Sequence, residues 1–401
     1  MTLDRTIPQH VPADLVVDFN VYLPMRGDEN FHDPYRRLQE QGVSEIFWSP
    51  YNGGHWVFAR QDVLYEGFAD YKRFPSDYQV VPKHEGPPPE LRQLPVLVNP
   101  PEHTGYRALF SSAFTLPAIK AREEEVRALA RALSEEIAPK RYCDFVHDFA
   151  QRLPIKVFMG MVDLPEEDRL MLIELTDGVF RPSDGDRNAV FAKMAAYLGK
   201  VIDERVVRPG TDLISKIATS MIEGKQVSRQ DAIGVLSVLL VAGLDTVASM
   251  SAFTMHFLAC NPVHRRRLIE EPSLIPAATD EFLRRFALLS PGRVVADDIV
   301  YRGVAMKKGD MVVLATPFGA VDPSAYETPA DVKFDRKSPK STTFGNGPHR
   351  CPGNMLARSE IRIMLEEWLP RIPDFRLNSH TPPVIRTGMG GSFASLHLIW
   401  D

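Results

Sequence analysis

Thr342-Thr343-Phe344-Gly345-Asn346-Gly347-Pro348-His349-Arg350-Cys351-Pro352-Gly353 (TTFGNGPHRCPG) gathers three glycines, two prolines and one of the three cysteines of a 401-residue chain. A helical pattern, Asn354 to Leu369, follows at once. The thiol of Cys351 therefore sits just before a helix, with Pro352 suited to its first position. Four fates of such a thiol compete. An inert buried thiol is common for free cysteine. A nucleophile would use His349 as base, but two residues apart in a Gly/Pro loop the pair has no helical or strand geometry to align it. Zinc would need further ligands at ligand spacing, and Cys143 and Cys260 are isolated. An axial thiolate on a haem iron needs one cysteine and accounts for the glycines. A flat macrocycle must lie close against backbone, and glycine permits that approach and the φ values it requires. The thiolate would then face helix-end N–H groups and the positive end of the dipole, with His349 and Arg350 as nearby donors.

Outward from this loop the chain reads as mainly α. Ala232 to Ala259 (AIGVLSVLLVAGLDTVASMSAFTMHFLA) carries Asp245 as its only formal charge. By length it could cross a bilayer, but a charge at mid-span is costly in lipid, so a helix buried in a large core is expected. Glu102 to Cys260 is mostly helical, with breaks at Pro117, Pro154, Pro165, Pro182 and Pro209-Gly210, and Pro165-Glu166-Glu167 reads as a helix start. Leu274 to Leu288 forms another helix. Ile46-Phe47-Trp48 and Trp56-Val57-Phe58 flank Tyr51-Asn52-Gly53-Gly54, a hairpin signal. Further strands are expected at Arg293-Val294-Val295, at Met311 to Leu314 and at Leu396 to Trp400. Pro82 to Pro95 reads as a surface or pocket loop. No repeat, low-complexity tract or linker divides the chain. The expectation is one large helical domain over residues 1–401 with small β-sheets.

Composition narrows the function classes. The chain is 44% hydrophobic and 25% charged, with net charge −5, as in soluble globular proteins. It lacks the strongly basic balance of a nucleic-acid binder. Three widely spaced cysteines exclude a disulfide framework and favour a reducing, cytoplasmic compartment. The N-terminal stretch MTLDRTIPQH has neither a basic start nor an apolar run, so neither signal peptide nor anchor is expected.

Three constellations stand apart from the cysteine loop. Ala242-Gly243-Leu244-Asp245-Thr246 interrupts the long apolar helix with an acid beside an alcohol. An unpaired buried charge is expensive, so the pair is either a satisfied core Asp with a Thr bonding back to its helix or a proton-delivery device. Glu281-Phe282-Leu283-Arg284 places opposite charges at i and i+3, as a surface ion pair or a structural one. His103 and Arg107, in Pro100 to Arg107, lie at i and i+4 and are either solvated or bind anions.

Phe344-Gly345-x-Gly347-x-His349-x-Cys351-x-Gly353 resembles the haem-binding loop of the cytochrome P-450 family, the haem-thiolate monooxygenases. The other constellations occur in the family's order. Asn52-Gly53-Gly54-His55-Trp56, Leu244 to Val247, Ile275 to Ala278 and Arg371 to Phe375 are similar to the camphor-hydroxylase branch of soluble bacterial members, so the likeness covers nearly the whole chain. The resemblance implies haem b with the Cys351 thiolate as axial ligand to iron, and O2 as co-substrate. It implies Phe344, His349 and Gly353 as loop contacts, and His103, Arg107, Arg293 and His349 as contacts to the haem propionates. It assigns proton delivery to Asp245 and Thr246, with Arg181 as a gate on the acid. It makes Glu281, Arg284 and, in Phe334-Asp335-Arg336, Arg336 a structural set behind the loop.

The chain has no flavin or NAD domain, since Gly345-x-Gly347 lacks the third glycine of a dinucleotide loop. The resemblance therefore implies a [2Fe–2S] ferredoxin and its NAD(P)H-dependent reductase as partners of a monomeric enzyme, docking on Lys72, Arg73, Arg107, Arg350 or Arg358. The expected pocket is apolar: Val80, Leu91, Val238, Val241, Leu289 and Met389. It suits a monoterpenoid such as cineole or a camphor analogue, a norisoprenoid or a compact alkyl-aromatic. Camphor-hydroxylating relatives hold the ketone with a tyrosine shortly before Pro-Pro-Glu, and Gly86 to Asn99 has none, which argues against camphor itself. Pro352 is a second departure. It lacks the N–H that normally points at the sulfur, which predicts one fewer hydrogen bond to the thiolate and a lower iron potential. A haem sensor would not need the Asp245–Thr246 pair, and peroxide-using members usually replace it.

Overall fold

A computed structural model describes residues 7–25, 29–83, 92–180, 187–337 and 341–401. Its α-helices are α1 (Asp33–Glu40), α2 (Gln61–Ala69), α3 (Glu102–Ser111), α4 (Leu116–Ile137), α5 (Arg152–Val162), α6 (Arg169–Phe180), α7 (Arg187–Val207), α8 (Leu213–Thr219), α9 (Arg229–Cys260), α10 (Pro262–Glu270), α11 (Ile275–Arg285), α12 (Thr316–Ala320) and α13 (Asn354–Trp368). The main sheet takes β1 (Ile46–Ser49) and β2 (His55–Phe58), then β6 (Gly292–Val294) and β9 (Met311–Leu314), in the order β1-β2-β9-β6. Smaller sheets join β3 (Tyr142–Asp144), β10 (Arg376–Leu377) and β13 (His397–Ile399), and pair β4 (Met221–Ile222) with β5 (Lys225–Gln226), β7 (Ile299–Tyr301) with β8 (Val304–Met306), and β11 (Val384–Arg386) with β12 (Ser392–Ser395). The mainly helical class expected from sequence is what forms.

The hairpin forms in the register Phe47 opposite Val57, with Asn52, Gly53 and Gly54 all at positive φ in the turn. β2 then pairs in parallel with β9, tying the N-terminal quarter to the segment just before the cysteine loop. The helix at Pro165 differs from expectation. A short 3-10 turn, Glu166–Asp168, comes first, and α6 starts at Arg169.

α9 is the axis of the molecule. Ser228 caps it by accepting the Asp231 N–H, 3.0 Å. The helix is long and apolar enough to cross a membrane, and its side chains are spent on two protein cores instead. Its first half, from Ala232 to Leu244, packs with Leu172, Phe191 and Ile214 of α6, α7 and α8. Its second half, from Val247 to Ala259, packs with Phe282 of α11 and Ile361 and Leu365 of α13. The Asp245-Thr246 pair falls where one core gives way to the other. The helix runs unbroken through it, so the motif changes the polarity of α9 without interrupting its backbone.

Candidate functional site

The loop quoted at the outset is fastened at each end. The Thr342 hydroxyl donates to Gln61 Oε1, 2.9 Å, and the Thr343 hydroxyl to Leu283 O on α11, 2.8 Å. The Asn346 amide donates to Tyr65 O on α2, 3.0 Å. Gly345 and Gly347 take φ of 66° and 69°. A Cβ on Gly347 would meet Ala69 Cα at 2.7 Å. These two glycines let the loop turn and press on α2, and Gly345 also lines the cavity beside Cys351. α13 begins at Asn354, two residues later than Pro352, and the Asn354 amide donates to the Cys351 carbonyl, 2.8 Å. The Cys351 N–H donates to Phe344 O, 2.9 Å. Burial pushes the Cys351 thiol up, while a hydrogen bond from the Gly353 N–H and the guanidiniums of Arg107, Arg358 and Arg350 pull it down. Pro352 adds no donor.

Close to this thiol lie two guanidiniums and two imidazoles with no carboxylate partner among the described residues. Arg293 is 3% exposed, and its one hydrogen bond among the described residues goes to the neighbouring Gly292 carbonyl, 2.7 Å. Burial lowers its guanidinium to about 10. His103 and His349 meet edge to face with ring centroids 4.6 Å apart, and the Nε2 of each is buried with no partner among the described residues. Burial, then Arg293, His103 and Arg107, lower His349 to about 3. Burial and then Arg107 lower His103. Arg107 completes the group and donates to Arg350 O, 2.7 Å.

A cavity of about 400 Å³ joins these groups. Cys351, Phe344, Gly353, Arg293, Arg107, His103 and His349 line it, with Thr246 and the apolar Val80, Val238, Val241, Leu289 and Met389. The Thr246 hydroxyl donates to Ala242 O, 3.0 Å, and Asp245 is half-buried one residue before it. Leu91 and Arg181 lie outside the described residues.

Behind the loop, Glu281 and Arg284 form a bidentate pair at 2.7 and 2.8 Å, both 4% exposed. Arg336 Nε reaches Glu281 at 3.0 Å. The solvated surface alternative for this pair is thereby set aside in favour of the buried one. Of the cations considered for docking, Arg358 pairs with Asp280 at 2.8 Å and Arg73 with Asp70, and Arg107 is half-buried. Lys72 and Arg350 are exposed without a carboxylate partner among the described residues.

Glu360 was not foreseen. It is 2% exposed, lines the cavity from α13 and leaves Oε2 without a partner among the described residues, and burial raises its carboxyl to about 8. The sequence held a signal: Glu360 falls in the i, i+4 row between the apolar Leu356 and Met364.

The family model for cytochrome P450 matches residues 188–384. Probable cytochrome P450 127A1 of Sinorhizobium fredii is 31% identical over 402 residues, covering 98% of this chain and 97% of that one. The crystal structure of CYP101J2 superposes with a TM-score of 0.89 at 37% identity, covering 98% of this chain and 99% of the other. That of CYP101C1 gives 0.90 at 35%, covering 99% and 100%. With a relative this similar along its whole length, and Cys351, Arg293, His103 and His349 lining one cavity, the chain belongs to the cytochrome P450 family.

Proposed function

We propose that this cytochrome P450, a haem-thiolate monooxygenase that uses O2, hydroxylates a C–H bond of a small apolar substrate, a monoterpenoid or norisoprenoid, with electrons from a [2Fe–2S] ferredoxin and its reductase. The residues present fit the haem. The buried Arg293, with no acidic partner among the described residues, and the orphaned Nε2 atoms of His103 and His349 call for an anion. Two propionates would meet them and Arg107. Cys351 would hold the haem iron through its thiolate, with Phe344 and Gly353 beside it. When bound, haem supplies the redox centre at which O2 is activated.

The chain's own residues do the rest. Val80, Val238, Val241, Leu289 and Met389 exclude water and hold an apolar substrate by buried area. Thr246 holds its proton on Ala242 O; rotation about χ1 turns the hydroxyl into the cavity it lines, where it donates. Asp245, one residue earlier, resupplies that proton from outside the cavity. Glu281, Arg284 and Arg336 keep α11 fixed, and the Thr343 bond to Leu283 passes that rigidity to the loop. The same reading takes residues 1–401 as one domain and the enzyme as a cytoplasmic monomer.

The observation that carries the proposal is the buried Arg293 and the two orphaned imidazoles lining one cavity with Cys351. The test is the reduced, CO-bound spectrum followed by reconstitution with a [2Fe–2S] ferredoxin and reductase. A red-shifted Soret band lost in Cys351→His, and hydroxylation of cineole- or ionone-like compounds, are expected. A wild-type protein without the red-shifted band would refute the assignment of the thiolate.

A further inference from the structure

The hydroxyls in the cavity wall are already engaged. Thr316 donates to Leu289 O at 2.7 Å, Thr343 to Leu283 O and Thr246 to Ala242 O. Gln79 donates through Nε2 to Ser76 Oγ, 2.8 Å. The cationic residues belong to the anion site, and Glu360 lies on α13, beside the cysteine loop. Gln93 is different. It lines the cavity, and its side-chain amide has no hydrogen-bond partner among the described residues. Gln93 is half-buried, and its carboxamide offers two donors and an acceptor to a ligand that enters the cavity it lines.

Its backbone is held on both sides. Arg92 pairs with Asp231 at 3.1 Å and with Glu102. The Arg92 carbonyl lies so close to α9 that a Cβ on Gly234 would be 2.0 Å from it. Leu94 is fully buried in the core shared with Leu236 and Leu240, and the Gln93 carbonyl accepts the Leu97 N–H, 2.9 Å. Fastened neighbours hold the Gln93 backbone in place, so a ligand has only the side-chain torsions left to order.

We propose that the Gln93 carboxamide is the polar anchor of the substrate site, and that the substrate is a compact apolar molecule bearing one carbonyl, ether or hydroxyl oxygen. The inference rests on reading the cavity as the substrate site of a haem monooxygenase. A carbonyl or ether oxygen accepts from Nε2, and a hydroxyl can donate to Oε1. One fixed oxygen among apolar walls orients the skeleton, so Gln93 decides which carbon is presented.

The test measures dissociation constants by calorimetry on the haem-loaded enzyme, for oxygenated monoterpenoids and their hydrocarbon counterparts: camphor with camphane, cineole with p-menthane, borneol with camphane. Wild type is expected to prefer at least one oxygenated member by roughly tenfold. Gln93→Leu, similar in volume, should bring that ratio near one without weakening the hydrocarbon, and Gln79→Leu should leave it unchanged. An equal ratio in wild type and Gln93→Leu, or no oxygenated member bound better than its hydrocarbon, overturns the anchor. The CO-bound spectrum separates this from the broader reading. An intact red-shifted band with an unchanged ratio removes only Gln93, and a missing band removes the haem site itself.

Discussion

Two buried charged clusters flank the cysteine loop, and they are finished to different degrees. In the first, Glu281 accepts from Arg284, Arg336 and the Lys333 N–H, and Arg284 spends its remaining donors on the carbonyls of Ala320, Pro329 and Asp331. Arg336 reaches the carbonyls of Glu327, Thr328 and Asp331. In the second, Arg293 has only its neighbour's carbonyl, and two imidazoles stand with orphaned nitrogens, held neutral by burial and like charge. The ingredients are alike. A closed network is architecture, since every donor has its acceptor within the chain. An open one is a site, since the missing acceptors must arrive with a ligand.

The largest effect that could break this contrast is at Glu281. Glu281→Ala would strand two buried guanidiniums and should lower stability by about 3–5 kcal/mol, read by urea unfolding of the haem-loaded protein. A loss under about 1 kcal/mol, the range of exposed pairs, would mean the closed cluster is not closed. Arg293→Leu should behave in the opposite way. The haem-free chain sheds an unpaired buried charge and should be no less stable. Haem release, followed by transfer to a scavenger protein, should quicken by about ten- to a hundredfold, the worth of a hydrogen bond to a charged group at ~1.5–3 kcal/mol. A haem-free chain destabilised as much as Glu281→Ala would make Arg293 architecture after all.

Glu360 belongs to neither cluster, and its titration sharpens the distinction. Its carboxyl is raised by burial from 4.5 to about 8. Between those values the folded chain keeps a proton that the unfolded chain has released, so stability falls as pH rises through the window. The slope is about 1.4 kcal/mol per pH unit. Glu360→Gln should remove that slope. Between about pH 6.5 and about pH 7.5, wild type should lose ~1.4 kcal/mol relative to the variant. Parallel unfolding free energies over that interval would show that Glu360 is ionised in the fold.

What was legible in the sequence follows the same line. The cysteine loop, the Glu281–Arg284 pair, the His103–Arg107 pair and the hairpin at Asn52-Gly53 are local patterns: the hairpin forms, Glu281 pairs with Arg284, and Cys351, His103 and Arg107 line one cavity. Helix ends were less legible. Pro352 looked like a first helical residue, but the Asn354 amide bond to the Cys351 carbonyl starts α13 later. The sequence suggested a ligand for the two glycines but not their second neighbour, α2, because a contact between Gly347 and Ala69 has no sequence signature. Gln93 escaped notice for a related reason. Its neighbours are fastened by Asp231, Glu102 and Gly234, all distant in sequence, and a stretch without periodicity gives no hint of which side faces a cavity.

The smallest effect is at Pro352, between the closed cluster and the thiol. The sulfur of Cys351 already has the Gly353 N–H and three guanidiniums around it, and residue 352 contributes no donor. Pro352→Leu restores one N–H in a position to reach the sulfur. A neutral hydrogen bond is worth about 0.5–1.5 kcal/mol, which for a one-electron couple is about 20–60 mV. The added bond withdraws charge from the thiolate and favours the reduced iron, so the potential of the variant should rise by that amount in a redox titration, with the CO-bound band still red-shifted. An unchanged or lower potential would mean that the sulfur is saturated by Gly353 and the surrounding charges. Pro352 would then shape the turn into α13 without tuning the metal.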